Sequence, residues 1–258
     1  MSTLFPIVIP SKGRPDGTTL RILAREGIPF TVYIEPQDEV AYRRAGWDRL
    51  RVLDANDQGL PYVRRQILAD APLQWFWMLD DDITAWFQTV QQCCRTTTAG
   101  AALLGAQSYF ASSPRVAQAA LEYRQFAWRA RQPCVYDTYC DVCVAIHGGY
   151  ARGLTFRDAC DLKLDRDFTL QVLAAGYSTC RVTAFSFSAP KNGSNRGGLF
   201  AEYATPGREA AASTMMASLW PGICTVKVKA DGRPDVAIDW AFFRRTLNAH
   251  LAQQAGAS

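Results

Sequence analysis

Asp80-Asp81-Asp82 is the densest piece of chemistry in the sequence, and it follows directly on Trp75-Phe76-Trp77-Met78-Leu79. Three adjacent carboxylates repel one another unless a cation sits among them, and their hard oxygens suit Mg²⁺ or Mn²⁺. The plainer alternative is an acidic turn that caps the next helix, since Asp is common at N-caps. Five apolar residues without alternation read as a strand buried on both faces, the kind found inside a parallel sheet. The carboxylates then stand where that strand leaves the sheet. Open α/β sheets bind ligands there, in the crevice outside the carboxyl ends of their strands.

Other groups able to hold a ligand stand at neighbouring strand ends. Pro10-Ser11-Lys12-Gly13-Arg14 follows the short apolar strand Leu4–Ile9. That loop can present backbone N–H groups, one ammonium and one guanidinium to a nucleotide, with Gly13 allowing close backbone approach. Glu35 ends the second strand, Phe30–Ile34, and can accept from a base N–H or from ribose hydroxyls. Gly59 closes a polar loop ahead of a helix beginning at Pro61, and Arg64 and Arg65 lie one turn into it, where one could reach a diphosphate. Singly, each is explained by a solvated charge, a turn residue or a surface pair; together they put ligand-capable groups on several loops of one edge. Further on, Asp165 and Asp167 open a helix that Gly176 ends, where the dipole favours anions. A carboxylate fixed there and facing the metal site could act as base for an acceptor hydroxyl, while one of the pair could simply be the N-cap. The loop Lys191-Asn192-Gly193-Ser194-Asn195-Arg196-Gly197-Gly198 can order over a bound anion or move as a lid.

The elements that must position these groups alternate in type. Strands at 4–9, 30–34, 51–53 and 75–79 are separated by helices at 16–26, 38–45 and from 61 to about 71, which predicts a parallel, doubly wound sheet and a nucleotide-binding half over residues 1–83. Residues 84–258 make up the second half, expected to bind an acceptor. It reads as a flexible loop at 96–100, a helix over 114–131, strands at 134–146, 179–188 and 223–229, a helix at 206–219 and a closing helix at 240–252. The Arg124, Arg129 and Arg131 face of the 114–131 segment is either plain solvation or part of an acceptor surface. Cys134, Cys140, Cys143 and His147 have a spacing that could hold zinc, yet an extended strand points successive residues to opposite faces. His250 reads as a surface residue.

A chain of 258 residues, 48% apolar, can bury a full core in one domain without disulfides. A net charge of +4 is compatible with a polyanionic partner without demanding one. No run approaches the roughly 18 apolar residues of a membrane span, and Leu4–Ile9 is too short for a signal peptide. The expectation is a cytoplasmic protein without membrane association, whose eight cysteines are reduced thiols.

Pro10-Ser11-Lys12-Gly13-Arg14, Gly59…Arg64 and Leu79-Asp80-Asp81-Asp82 resemble, in order and spacing, the glycosyltransferases of the GT-A fold. Asp165-Arg166-Asp167-Phe168-Thr169-Leu170-Gln171-Val172-Leu173…Gly176-Tyr177 is similar to a motif of the TET-associated glycosyltransferases. Arg196-Gly197-Gly198…Glu202-Tyr203, Leu219-Trp220-Pro221-Gly222 and Gly232-Arg233…Asp239-Trp240 resemble that family's C-terminal signatures. The likeness spans most of the chain and is weakest over 84–130. It implies a single GT-A-like α/β domain: a Rossmann-type, mostly parallel sheet flanked by helices, with a C-terminal lid and helix. The family is carried largely by bacteriophages and is associated with dioxygenases that hydroxylate methylated cytosine. The implied reaction moves a sugar from a nucleotide-sugar donor, a UDP-sugar above all, to 5-hydroxymethylcytosine in DNA, in the host cytoplasm. The donor would lie on Pro10, Ser11, Lys12, Gly13, Arg14, Glu35, Gly59, Arg64, Asp80, Asp81, Lys191, Arg196, Gly197 and Gly198. Asp80 and Asp82 would hold Mn²⁺ or Mg²⁺, Asp81 would touch the sugar, and Asp165, beside Asp167, matches the catalytic acid position. Two departures stand out. The family's Glu before that position is Leu164 here, and the His residues that follow its Gly-Arg signature give way to Pro234-Asp235-Val236, which would pass a metal-ligand role to Asp235. The rival readings are the same fold acting on a small-molecule, glycan or protein acceptor, and a catalytically dead nucleotide- or DNA-binding module.

Overall fold

The computed structural model describes residues 3–191, 193–230 and 232–246. Asn192, the end of the expected closing helix and His250 lie outside them. The first half alternates as its apolar runs require: β1 (Ile7–Pro10), α1 (Thr18–Arg25), β2 (Thr31–Ile34), α2 (Glu39–Arg44), β3 (Leu50–Val52), α3 (Gly59–Asp70) and β4 (Trp75–Leu79). The strands pair in parallel in the order β3-β2-β1-β4. Every β4 residue is buried. Trp75, Trp77 and Leu79 enter one core with Leu20, Leu103 and Phe110, whereas Phe76 and Met78 enter the opposite one with Ile67, Phe156 and Phe168. The two-residue alternation of a strand thus serves two helical layers at once. Because Ile7 lies beside Trp77 and Val8 beside Met78, β1 and β4 leave the sheet together, and the Ser11–Arg14 loop meets Asp80–Asp82.

The second half extends the same sheet. After β5 (Ala85–Val90), β6 (Cys93–Thr97) and α4 (Ala99–Gln107) come β7 (Val116–Tyr123), α5 (Arg124–Ala127), β8 (Cys134–Tyr136), β9 (Cys143–His147) and α6 (Gly148–Ala151). Then follow α7 (Leu164–Ala174), β10 (Ser178–Ser188), α8 (Phe200–Ala204), α9 (Arg208–Leu219) and a separate hairpin of β11 (Cys224–Val228) and β12 (Pro234–Ile238). The sheet continues β4-β9-β7-β10-β5-β6, with β8 also on β10. β9 runs antiparallel to β4 and β7, and β10 runs parallel to β7. The fold is therefore an α/β sheet flanked by helices, parallel in its first half and mixed beyond.

Three expectations for the second half are corrected. Residues 116–123 form a central strand, not the start of a helix: Ala, Gln, Leu and Glu favour helix, but six successive buried positions between β9 and β10 override that preference. The supposed loop at 96–100 is the end of β6 and the start of α4, capped by the Thr98 side chain and by Glu26, which accepts from the Ala99 and Gly100 N–H groups. The β5–β6 turn has no local sequence signal, because its two central residues, Gln91 and Gln92, take positive φ without the usual Asn-Gly pair. Finally, the single strand expected at 134–146 is split: β8 pairs with β10 and β9 with β4. No described helix is long and apolar enough to cross a membrane, and all eight cysteines are free thiols.

Candidate active site

A cavity of about 1110 Å³ opens at the carboxyl ends of β1 and β4. Pro10, Ser11, Lys12, Arg14, Glu35, Gly59 and Arg64 line it, together with Asp80, Asp81 and Asp82. Lys12 sits 3.0 Å from the buried Glu35 and 2.6 Å from Asp57; against the cost of burial, both carboxylates raise its pKa. Gly13 does not line the cavity. Its N–H donates to Asp38, 2.9 Å away, and it packs near the backbone of Gly197.

Arg14 organises the acidic edge. One guanidinium nitrogen donates to Asp81 at 2.7 Å and to Asp82 at 3.3 Å, while the remaining N–H groups reach the carbonyls of Asn195, Arg196 and Gly197. The 193–198 loop is thereby pinned across the nucleotide loop. Gly197 has φ +82, and a Cβ there would stand 2.7 Å from the Lys12 carbonyl oxygen, so only glycine fits this crossing. Lys191 and Gly198 line the cavity, whereas Arg196 contributes a backbone carbonyl to Arg14. Asp81 spends its oxygens on Arg14 and on Ser11, whose hydroxyl donates at 2.5 Å and lies 2.6 Å from the Tyr42 hydroxyl. Burial nevertheless pushes its pKa up.

Asp80 and Asp82 keep side chains open to the cavity, 35% and 24% exposed. Burial and the surrounding carboxylates raise Asp80 well above the ordinary range, even with Arg64 beside it. That is the electrostatic state a bound cation would relieve. The donor set fits a divalent ion shared with a phosphate-bearing ligand, with hard oxygens from two carboxylates and the remainder from phosphate and water. It does not fit an ion held by protein alone: no group of three His, Cys, Asp or Glu is placed for a metal among the described residues. Cys134 lies on β8, apart from Cys143 and His147 on β9, and His147 stacks on Tyr150.

Arg64 is the link between the two halves. It is buried on α3, donates to Asp165 at 2.5 Å from one nitrogen, and stands 3.4 Å from Asp80 with the other. Arg65 faces elsewhere and binds Asp158 and the Phe156 carbonyl. Asp165 lines the cavity from the first turn of α7; Asp167 does not. Two positions on a helix differ by about 200°, so both carboxylates cannot face one cavity. Asp167 is fully buried and accepts from Trp220, Gln171 and Arg157, tying the C-terminal segment to α7.

Asp235, the further candidate metal ligand, lines the cavity but is already engaged by cations. It is buried among cations: Arg166 grips both its oxygens at 2.6 and 3.2 Å, Lys163 lies at 3.1 Å and Lys229 at 3.2 Å. Although burial alone would raise it, these partners hold its pKa well below the carboxylate range. A group depressed on folding stabilises the protein above its unfolded pKa, near 4, and loses that contribution as the pH falls. Asp235→Asn is expected to cost about 3 kcal/mol at pH 7, because three cations are left together without their anion. Urea titrations at pH 7 and pH 3 should show the gap between variant and wild type narrowing in acid.

Several lining residues carried no motif: Tyr123, Tyr139 and Asp141, and the more exposed Arg124, Gln125, Phe126 and Trp128. Tyr123 donates to Asp141 at 2.8 Å, and Arg181 bridges Glu122 and Asp141. Burial drives the Tyr139 hydroxyl far from ionisation. These residues come together only through the β7–β9–β10 pairing, which no local spacing encodes.

The cavity at the carboxyl edge of a parallel sheet, beside the Asp80–Asp82 strand end and with Asp165 on a facing helix, is the form of a GT-A-like nucleotide-binding fold. The chain belongs to the TET-Associated Glycosyltransferase family, whose model matches residues 5–198. Among solved structures it is similar to S. aureus TarS 1-349 in complex with UDP-GlcNAc, with 14% identity and a TM-score of 0.55 over 84% of this chain and 65% of that one. It is also similar to the crystal structure of S. aureus TarS 1-349, with 14% identity and a TM-score of 0.50 over 72% of this chain and 59% of that one. The chain thus covers less than two thirds of either, and likeness at this identity speaks of the fold alone. No curated protein matches the sequence.

Proposed function

We propose that this glycosyltransferase takes a sugar from a nucleotide donor, a UDP-sugar, and places it on the hydroxymethyl group of 5-hydroxymethylcytosine in DNA. The observation that carries the reading is the shared guanidinium: Arg64 holds the candidate base Asp165 beside Asp80, at the edge where a diphosphate would lie. Lys12 and Glu35 at the ends of β1 and β2 suit the polar parts of a nucleotide, and the UDP-GlcNAc held by TarS on the same fold supports a UDP-sugar. The family's association with TET enzymes supports a hydroxylated cytosine as acceptor. The eight free thiols fit the reducing cytoplasm.

In the proposed reaction the acceptor oxygen bonds to the sugar's anomeric carbon as that carbon's bond to the donor phosphate breaks. The hydroxyl proton passes to Asp165, whose Oδ1 already takes the Arg64 bond, leaving Oδ2 for the acceptor. The nucleoside diphosphate departs with the bonding electron pair. A divalent ion on Asp80 and Asp82 would supply charge neutralisation to that leaving group. Arg64 fixes the base, and the 193–198 loop closes the donor side against water.

The test is mass spectrometry of nucleosides from hydroxymethylcytosine DNA incubated with the protein, Mn²⁺ and a panel of nucleotide sugars. The expected result is a hexose- or pentose-sized mass gain that disappears in Asp82→Ala. Donor binding without any gain would remove the DNA acceptor and favour a small-molecule, glycan or protein acceptor instead.

A further inference from the structure

The mouth of the cavity carries an arrangement that folding does not explain. Residues 123–131 read Tyr-Arg-Gln-Phe-Ala-Trp-Arg-Ala-Arg, with three arginines and no acid. Phe126 and Trp128 are 45% and 50% exposed, and both line the cavity. Phe200, on α8 behind the 193–198 loop, lines it too and is 38% exposed. Leaving such rings in water forgoes burial energy that aromatic residues otherwise supply.

The rings are held in place. Tyr123 packs on Phe187 with ring centroids 4.6 Å apart, and its hydroxyl donates to Asp141. Arg124 lies 4.5 Å over the Phe87 ring, anchoring the segment to β5. The Trp128 indole N–H donates to the Gln125 carbonyl at 3.0 Å, and the Arg129 guanidinium sits 4.9 Å over the indole. The indole's polar edge is satisfied and Arg129 covers one face, so what Trp128 offers a ligand is the other face of its half-exposed ring. Fixed aromatic faces interleaved with arginines suit one ligand chemistry above others: bases to stack on the rings and phosphates to meet the guanidiniums. A glycan would use the rings but has no call on the Arg124 guanidinium that lines the cavity beside them or on the arginines that follow. At about 1110 Å³ the cavity also exceeds the roughly 300–1,000 Å³ that one small ligand needs, leaving room for a second substrate beside the donor.

We infer that Phe126 and Trp128, with Arg124 and Arg129, form the stacking platform that holds an unpaired nucleotide of the acceptor strand at the cavity mouth, delivering the target base toward Asp165. The inference rests on the nucleic-acid acceptor proposed above. A base that leaves the stack can carry its hydroxymethyl group into the cavity toward Asp165, and the rings replace the neighbours it loses.

The experiment uses the full chain, a nucleotide sugar that the wild type accepts, and a duplex carrying one 5-hydroxymethylcytosine with 2-aminopurine as its neighbour. Phe126→Ala and Trp128→Ala should each raise the KM for DNA roughly ten- to hundredfold, in line with stacking on one aromatic face. The KM for the nucleotide sugar should stay as in wild type, and Trp128→Phe should recover most of the loss. The 2-aminopurine fluorescence should rise on mixing with wild type and rise less with the alanine variants. Arg129→Gln should weaken DNA binding across all sequences and lower the salt slope by about one. Far-ultraviolet dichroism and unchanged donor KM exclude misfolding. Unchanged KM for DNA in both alanine variants, with a wild type that does modify DNA, would overturn the platform and leave the acceptor reading intact. A wild type that modifies a glycan or protein but no DNA would overturn the acceptor reading, and the nucleotide platform with it.

Discussion

Asp165→Asn should lower the rate of sugar transfer by about 10²- to 10⁴-fold, the usual contribution of a positioned base, while nucleotide-sugar affinity stays nearly constant. The amide keeps the size of the side chain and can still accept from Arg64 at the Oδ1 position, so the α7 terminus and the cavity wall should hold. What it loses is the ability to take a proton. Single-turnover transfer, with donor binding followed separately by calorimetry, tells the two apart. Equal rates in variant and wild type would remove Asp165 from the chemistry and revive the reading of a binding module without catalysis. Asp167→Asn provides the contrast. That residue faces Trp220 and Gln171, not the cavity, and its substitution should act on the docking of the C-terminal segment through the Trp220 contact.

The second large effect is expected at Arg64. Its guanidinium is buried and bridges two carboxylates that belong to different parts of the site, Asp165 on α7 and Asp80 at the end of β4. Arg64→Lys keeps the charge but not the fork, and a point charge on a different stem does not reproduce the two separate N–H groups that meet Asp165 and Asp80. Transfer should fall about 10²-fold through misplacement of the base, at nearly unchanged stability. Arg64→Leu removes the charge too. Asp80 and Asp165 are 35% and 24% exposed, so water and counterions screen part of the loss, and a stability cost of about 2 to 3 kcal/mol is expected instead of the larger cost of a fully enclosed pair. Urea denaturation beside steady-state kinetics reads both numbers. A leucine variant as stable and as active as wild type would show that the bridge has no role in positioning. The shape of the result carries information as well. If Arg64 acted only on the donor, the lysine variant would raise the donor KM and spare the rate at saturation; acting through Asp165, it lowers the rate at saturating donor.

Local physics explains why some of this was legible in the residues. A five-residue apolar run ending in carboxylates forms a doubly buried strand wherever it occurs, and β4 does so with each side chain assigned to a layer by alternation alone. Ser11, Lys12 and Arg14 after β1, Glu35 after β2, and Arg64 one turn into α3 follow from the same strand–helix period, and all of them line the cavity. The second half resisted. Its strand β7 is written in helix-forming residues and is a strand only because it lies buried between β9 and β10. Its β5–β6 turn uses glutamines at positive φ, and α4 borrows its second cap from Glu26, more than seventy residues earlier in the chain.

The sequence by itself determined the parallel first half, the acidic strand end and the family, because these rest on contacts between near neighbours and on short ordered motifs. Tertiary structure alone decided where each acid stands and what it touches. Asp165 and Asp167 share a helix turn, yet packing sends one to the cavity and buries the other against Trp220. Asp235, a candidate metal ligand by position, is claimed by Arg166, Lys163 and Lys229, which reach it from other elements. A carboxylate's role is set by which charges surround it, and in this protein those charges arrive from far along the chain.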